Sequence, residues 1–239
     1  FTAAFFLLLT FKLVVAALVC GVIAVASILC WLWSTDPGAT HPPVEIGGGI
    51  KLPVYLTGPT AHSWWAMIVL ILVAGAIFGS LIFSYLFLWT VLPDMWPARD
   101  ELSAPSYPLA AGGLLVFAGI VMAYANRALK GGRNKHLALA ITPAALIAAF
   151  ALDFTAQWQT GLRPGDSGYG AAVYMVLGLQ GFFVSVVTIM AGYVLARSLC
   201  GLLTSARRAT FDNTMLFMCY TVAQGLIALA LVHGFPRLL

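Results

Sequence analysis

Four histidines, four cysteines and eight acidic residues are the side chains that could bind a metal, hold a haem or move a proton in this chain. Haem in a helical bundle is gripped by imidazoles projecting inward from facing helices. The histidines are not spaced for that: His41 and His62 fall in a long Pro/Gly-rich stretch, His136 follows a basic turn, and His233 stands at the end of the last apolar run. No His, Cys, Asp and Glu residues share metal-site spacing. Cys20, Cys30, Cys200 and Cys219 lie within or beside apolar runs without a C-x-x-C pair, and read as small apolar residues. The one acidic residue well inside an apolar run is Asp153. Ionisable groups are costly in lipid and are kept mainly for function, so a proton-relay carboxylate is one reading. The favoured reading is a group that reaches the nearby interface, or Gln157 one turn on. Asp153→Asn keeps the shape and much of the hydrogen bonding, and on that reading leaves activity largely intact.

The elements that position these residues are membrane helices. Of 239 residues 62% are hydrophobic and only 8% charged, against about 25% charged in soluble domains. The mean hydropathy is +0.97. This composition excludes soluble enzymes and nucleic-acid binders. Apolar runs bounded by Pro, Gly and charge predict six helices, at 3–33, 64–92, 109–129, 137–159, 169–197 and 211–234, each long enough to cross about 30 Å of hydrocarbon. They lack the period-two alternation of a membrane barrel. The fold class is therefore all-α, a polytopic membrane helical bundle. The first run holds Lys12, whose amine can snorkel to a headgroup region, which places the crossing mainly at 13–33. The domain reading is a first helix at 1–33, a loop at 34–63 and a five-helix bundle at 64–239. The loop carries Pro37, Pro42, Pro43, Gly47 to Gly49, Pro53 and Pro59, and cannot be helical for long.

Lys and Arg are retained on the cytoplasmic side of a membrane. With alternating helices one side receives Lys51, Arg127, Lys130, Arg133, Lys135, Arg197, Arg207 and Arg208, and the other only Lys12, Arg99, Arg163 and Arg237, beside Asp94, Asp100 and Glu101. The chain is thus expected to enter from outside and to end outside. Trp31, Trp33, Trp64, Trp65, Trp89, Trp96 and Trp158 sit where spans meet water, as an interfacial belt. Small residues at helix-contact spacing, Ala74, Gly75, Gly79 and Ser80, then Gly178 and Gly181, predict close helix packing. A large side chain at Gly181 is expected to loosen the bundle.

From Trp65 to about Arg197 the order and spacing of several segments resemble subunit III of the haem-copper (cytochrome c oxidase) family. Phe83-Ser84-Tyr85 followed by Trp96-Pro97 is like the family's aromatic third helix and the Trp-Pro-Pro turn after it. Ala125-Asn126-Arg127-Ala128-Leu129 is similar to its Ala-His-His-Ser-Leu. Phe150 and then Gln157-Trp158 stand where the family has Phe and, seven residues on, Glu-Tyr. Most specifically, Tyr169-Gly170, Gly178, Gly181, Val184 and Arg197 reproduce without gaps the spacing of Tyr-Gly, Thr-Gly-x-His-Gly-x-His-Val and a following Arg. The departures are equally definite. The His-Gly-x-His pair reads Gln180-Gly181-Phe182-Phe183. The last helix offers Met218, Cys219, Tyr220 and Gln224 in place of Trp-His-Phe-Val-Asp-x-x-Trp. The family's third-helix glutamate has no counterpart in Val73-Ala74-Gly75-Ala76.

The resemblance implies a divergent subunit III with six of the family's seven helices, its first being the family's second. Lacking an initiator Met, the chain reads as the C-terminal part of a bacterial fusion of subunits I and III. The implied function is an accessory part of a respiratory terminal oxidase that reduces oxygen to water and pumps protons, without catalytic residue or cofactor of its own. Haem and copper would lie in partner subunits I and II. The other partners would be phospholipids, in a cleft between the first two helices and the rest, and cytochrome c or quinol as electron donor. The expected location is a bacterial inner membrane with a periplasmic C-terminus. The alternatives are a small transporter or channel unrelated to respiration, which needs a polar path through the bundle, and a haem-binding quinol subunit, against which the histidine placement argues.

Overall fold

The computed structural model describes residues 1–35, 41–97 and 102–238, so Pro37, Arg99, Asp100 and Glu101 lie outside the described residues. It is an all-α helical bundle with six helices, among the described residues, long and apolar enough to cross a membrane. The chain divides into two units, Phe1–Pro43 and Val44–Leu239.

In the first unit the run expected as one helix is two. Helix α1 (Thr2–Thr10) ends just before Lys12, whose φ of +59° turns the backbone, and α2 (Val14–Thr35) follows. The α1 segment folds back along α2, setting the Phe5 ring over Gly21, where an added Cβ would come within 3.1 Å of it. Nine residues at 1.5 Å rise make α1 about 14 Å long, too short to cross. The crossing helix is α2. Periodicity alone does not show the break, because apolar residues run on both sides of Thr10 and Lys12 and only the backbone reverses.

The second unit opens with a minimal hairpin inside the Pro/Gly-rich stretch, β1 (Val44–Glu45) paired with β2 (Lys51–Leu52). Gly47, Gly48 and Gly49 turn it, all at positive φ, where a Cβ would be strained. Five spanning helices follow: α3 (His62–Val91), α4 (Ser106–Lys130), α5 (His136–Gln159), α6 (Gly168–Leu199) and α7 (Ala209–Leu229). The last continues through a π-helical turn, Ala230–Gly234, into the short α8 (Phe235–Leu238). Helices α4, α5, α6 and α7 form a ring in which each packs on its neighbours and α7 closes against α4, while α3 lies against α6 and α7.

A heptad seam holds the ring. On α4 the buried positions include Ala111, Leu115, Ala118, Met122, Ala125 and Leu129. On α5 they include Leu139, Thr142, Leu146, Ala149, Asp153 and Ala156, and on α7 Phe211, Thr214, Met218, Thr221, Gly225, Ala228 and, past its end, Val232. Alternating steps of three and four residues keep one stripe facing its neighbours. The many Ala and Gly let backbones approach closely, which replaces the hydrophobic drive that lipid does not supply. At the basic end Arg208 ties α7 to α4, donating to Asp212 at 2.8 Å and to Asn126 at 2.7 Å. There too the Arg207 guanidinium carbon lies 5.6 Å from the centre of the Tyr55 ring.

Candidate functional site

At the opposite end of the ring the α5 seam brings Asp153 inward, where it is 8% exposed. Its partner is neither solvent nor Gln157. Asp153 Oδ1 lies 2.6 Å from Nε2 of His233, itself 3% exposed on the π-helical turn. This corrects the interfacial reading of Asp153. The pair bridges α5 and the end of α7, separated by 80 residues of sequence.

Both ring nitrogens of His233 are engaged. A carboxylate only accepts, so Nε2 donates to Asp153, and Nδ1 faces the hydroxyl of Ser103 at 3.2 Å. The Gln157 amide nitrogen lies 3.5 Å from each ring nitrogen. Arg237 donates to the backbone carbonyls of His233 and Ser103, clamping the π-helical turn to the segment before α4. Ser103, Gln157, Thr160, Tyr169 and His233 line a cavity of about 320 Å³. One wall belongs to an aromatic cluster in which the Tyr169 ring is 4.8 Å from Trp96 and 6.0 Å from Tyr85, centre to centre. Tyr85 reaches the π-helical turn through its hydroxyl, 3.4 Å from the Leu231 carbonyl.

Polar groups continue inward. A void of about 10 Å³ separates Asp153 from Gln180. The Gln180 amide donates to the Thr221 carbonyl at 3.3 Å, and Gln224 donates to Gln180 Oε1 at 3.3 Å. Beyond them Phe183, Phe217 and Met218 close the core.

The motif positions fall into two sets. Gln157 and Tyr169 border the His233 cavity, and Gln180 lies one layer deeper. Gly170 starts α6 against the Arg163 carbonyl, Gly181 lies under the Phe150 ring, and Val184 is buried in the main core. The others are elsewhere. Trp158 is half-exposed beneath the Arg163 guanidinium, 3.7 Å away, and Arg197 is buried near Tyr193 at the basic end. Gly178 is also exposed, with open space over it, which corrects its expected place at a helix contact. Three residues turn a helix through about 300°, so Gly178 and Gly181 point some 60° apart and one close approach does not cover both. Gly181→Ala is expected to cost about 1 kcal/mol, since the Phe150 ring 2.7 Å from the added Cβ must shift. Gly178→Ala should be neutral or slightly stabilising, and thermal unfolding of the two variants checks the contrast.

Ser103, His233 and Arg237 are the site residues that sequence reasoning missed. Asp153 had a readable signal, because it continues the heptad Leu139, Leu146 on the buried seam. The placement of His233 had a partial signal, since it stands four residues after the buried Leu229 and next to Val232 on the α7 seam, but nothing in the sequence pairs it with Asp153, 80 residues earlier. No family model matches this chain, and no curated protein matches it.

Proposed function

We propose that this chain is the subunit III-like part of a haem-copper terminal oxidase in a bacterial inner membrane. The observation that carries the reading is the division of the chain. A two-helix unit with a folded-back pair precedes a unit of five spanning helices, the order the resemblance implies, with α2 standing where the family has its second helix. Further support comes from the motif positions on α5 and α6: Phe150 meets Gly181, and Gln157 and Tyr169 border one cavity.

On this reading the residues act by packing and support. The ring of α4 to α7 offers a rigid body to subunit I. Arg127, Lys130, Arg133, Lys135, Arg197, Arg207 and Arg208 gather at one end of the alternating helices. That end faces the cytoplasm by the positive-inside rule, which puts the Asp153 end and the C-terminus on the periplasmic side. Phospholipid would bind this part of the oxidase, and haem and copper would lie in subunits I and II, fed by cytochrome c or quinol.

The test is purification of the tagged chain in mild detergent, followed by a reduced-minus-oxidised spectrum of the proteins that accompany it. Haem a, b or o in stoichiometric amount is the expected result, and a preparation without haem in any partner would defeat the proposal. The chain expressed alone is expected to show no Soret band, because His62 and His136 stand at the basic end of the bundle and His233 at the other. A second reading, a small transporter, draws on the polar groups that run inward from Asp153 through Gln180 to Gln224. A haem-free preparation that moves ions across vesicles would favour it.

A further inference from the structure

We propose that His233 relays protons between the polar cavity and Asp153, making this carboxylate a proton-binding site open to one end of the bundle. The placement of the imidazole is the ground for this. One ring nitrogen faces Ser103 and the cavity, while the other is 2.6 Å from Asp153 Oδ1. An imidazole with its two nitrogens on two sides takes up a proton at one and releases a different proton at the other. A hydronium ion in the cavity gives its proton to Nδ1 and leaves as water. The imidazolium then passes its Nε2 proton to Asp153 Oδ1. The products are a neutral imidazole protonated on Nδ1 and a neutral carboxylic acid, and the pair has gained one proton in total. Ser103 serves both forms, because a hydroxyl donates to a bare Nδ1 and accepts from a protonated one.

The surroundings fit a site that both holds and releases that proton. A lone carboxylate is costly at this depth, and the proton taken up brings the pair to net neutrality. The charged and titratable groups around it are Tyr169 on α6, Tyr85 on α3 and Arg237 on α8, while α4 contributes Ala111 and Leu115. Arg237 donates to the backbone carbonyls of His233 and Ser103. The void between Asp153 and Gln180 is about the size that holds one water. The packed Phe183, Phe217 and Met218 lie beyond the glutamines, so the proton returns by the way it came. The proposal requires a bundle in a membrane and does not depend on the oxidase reading.

The experiment is time-resolved infrared spectroscopy after a drop in pH, on the full chain in the assembly from which it is purified, held in phosphatidylcholine nanodiscs. The expected result is a carboxylic-acid carbonyl band that Asp153→Asn abolishes. In His233→Gln, whose amide can hydrogen-bond but cannot relay, the band should rise at least roughly tenfold more slowly, a barrier higher by about 1.4 kcal/mol. Ser103→Phe, which fills the cavity and leaves the pair intact, should slow it similarly. If His233→Gln does not assemble, Ser103→Phe alone decides. Equal rates in these variants and the parent would overturn the relay, as would the lack of any band that Asp153→Asn removes.

Discussion

Asp153→Ala, with His233 left in place, is expected to destabilise the five-helix unit by about 1–3 kcal/mol, the usual cost of leaving a buried hydrogen-bond donor without its acceptor. His233 is 3% exposed. Without the carboxylate its Nε2 proton has only the Gln157 amide nitrogen nearby, which is itself a donor. The loss would extend to the chain end, because the Arg237 clamp and the Tyr85 hydrogen bond both act on the same π-helical turn. Asp153→Asn is milder, since the amide oxygen still accepts from Nε2. The structure makes even this change one at a buried bridge between two helices, where the sequence had suggested a surface group. Unfolding of Asp153→Ala, His233→Ala and the double variant in detergent measures the coupling. The double variant should cost clearly less than the sum of the singles, and strict additivity would show that the two side chains do not stabilise one another.

Gly170→Ala should destabilise by about 1–3 kcal/mol, the cost of overpacking, and its sign is the informative part. Gly170 lies in the first turn of α6, where its N–H donates to the Ser167 hydroxyl at 3.0 Å and caps the helix. On helix propensity alone, alanine would gain up to about 1 kcal/mol inside a helix. Here the added Cβ would collide with the backbone carbonyl of Arg163 and lie 3.3 Å from a Leu162 methyl. A carbonyl in a turn cannot swing aside as a ring does. The 160–167 connection would therefore have to move, disturbing Thr160 and Leu162 at the cavity. Thermal unfolding of the variant reads the effect, and a stabilised protein would show that the turn yields freely.

Composition and run length by themselves determined that this is a chain of membrane helices, because a side chain's cost in lipid is additive and local. The five later spans could be read in order for that reason, but not the stripe each would bury, because a helix that is apolar all round does not show which face meets a neighbour. The pattern from Tyr169 to Val184 could likewise be read, though not which of its glycines would touch a neighbour: Gly181 does and Gly178 does not. Only the tertiary structure decided the rest. The fold-back at Lys12 depends on one backbone dihedral within a long, mostly apolar run. The site depends on residues far apart in the chain, with Ser103, Asp153 and His233 drawn from three segments and joined at 2.6–3.2 Å. Hydropathy is blind to such a meeting. It averages His233 into the end of an apolar helix, whereas the fold sets the imidazole, on the π-helical turn after α7, against Asp153, the one carboxylate buried among the described residues.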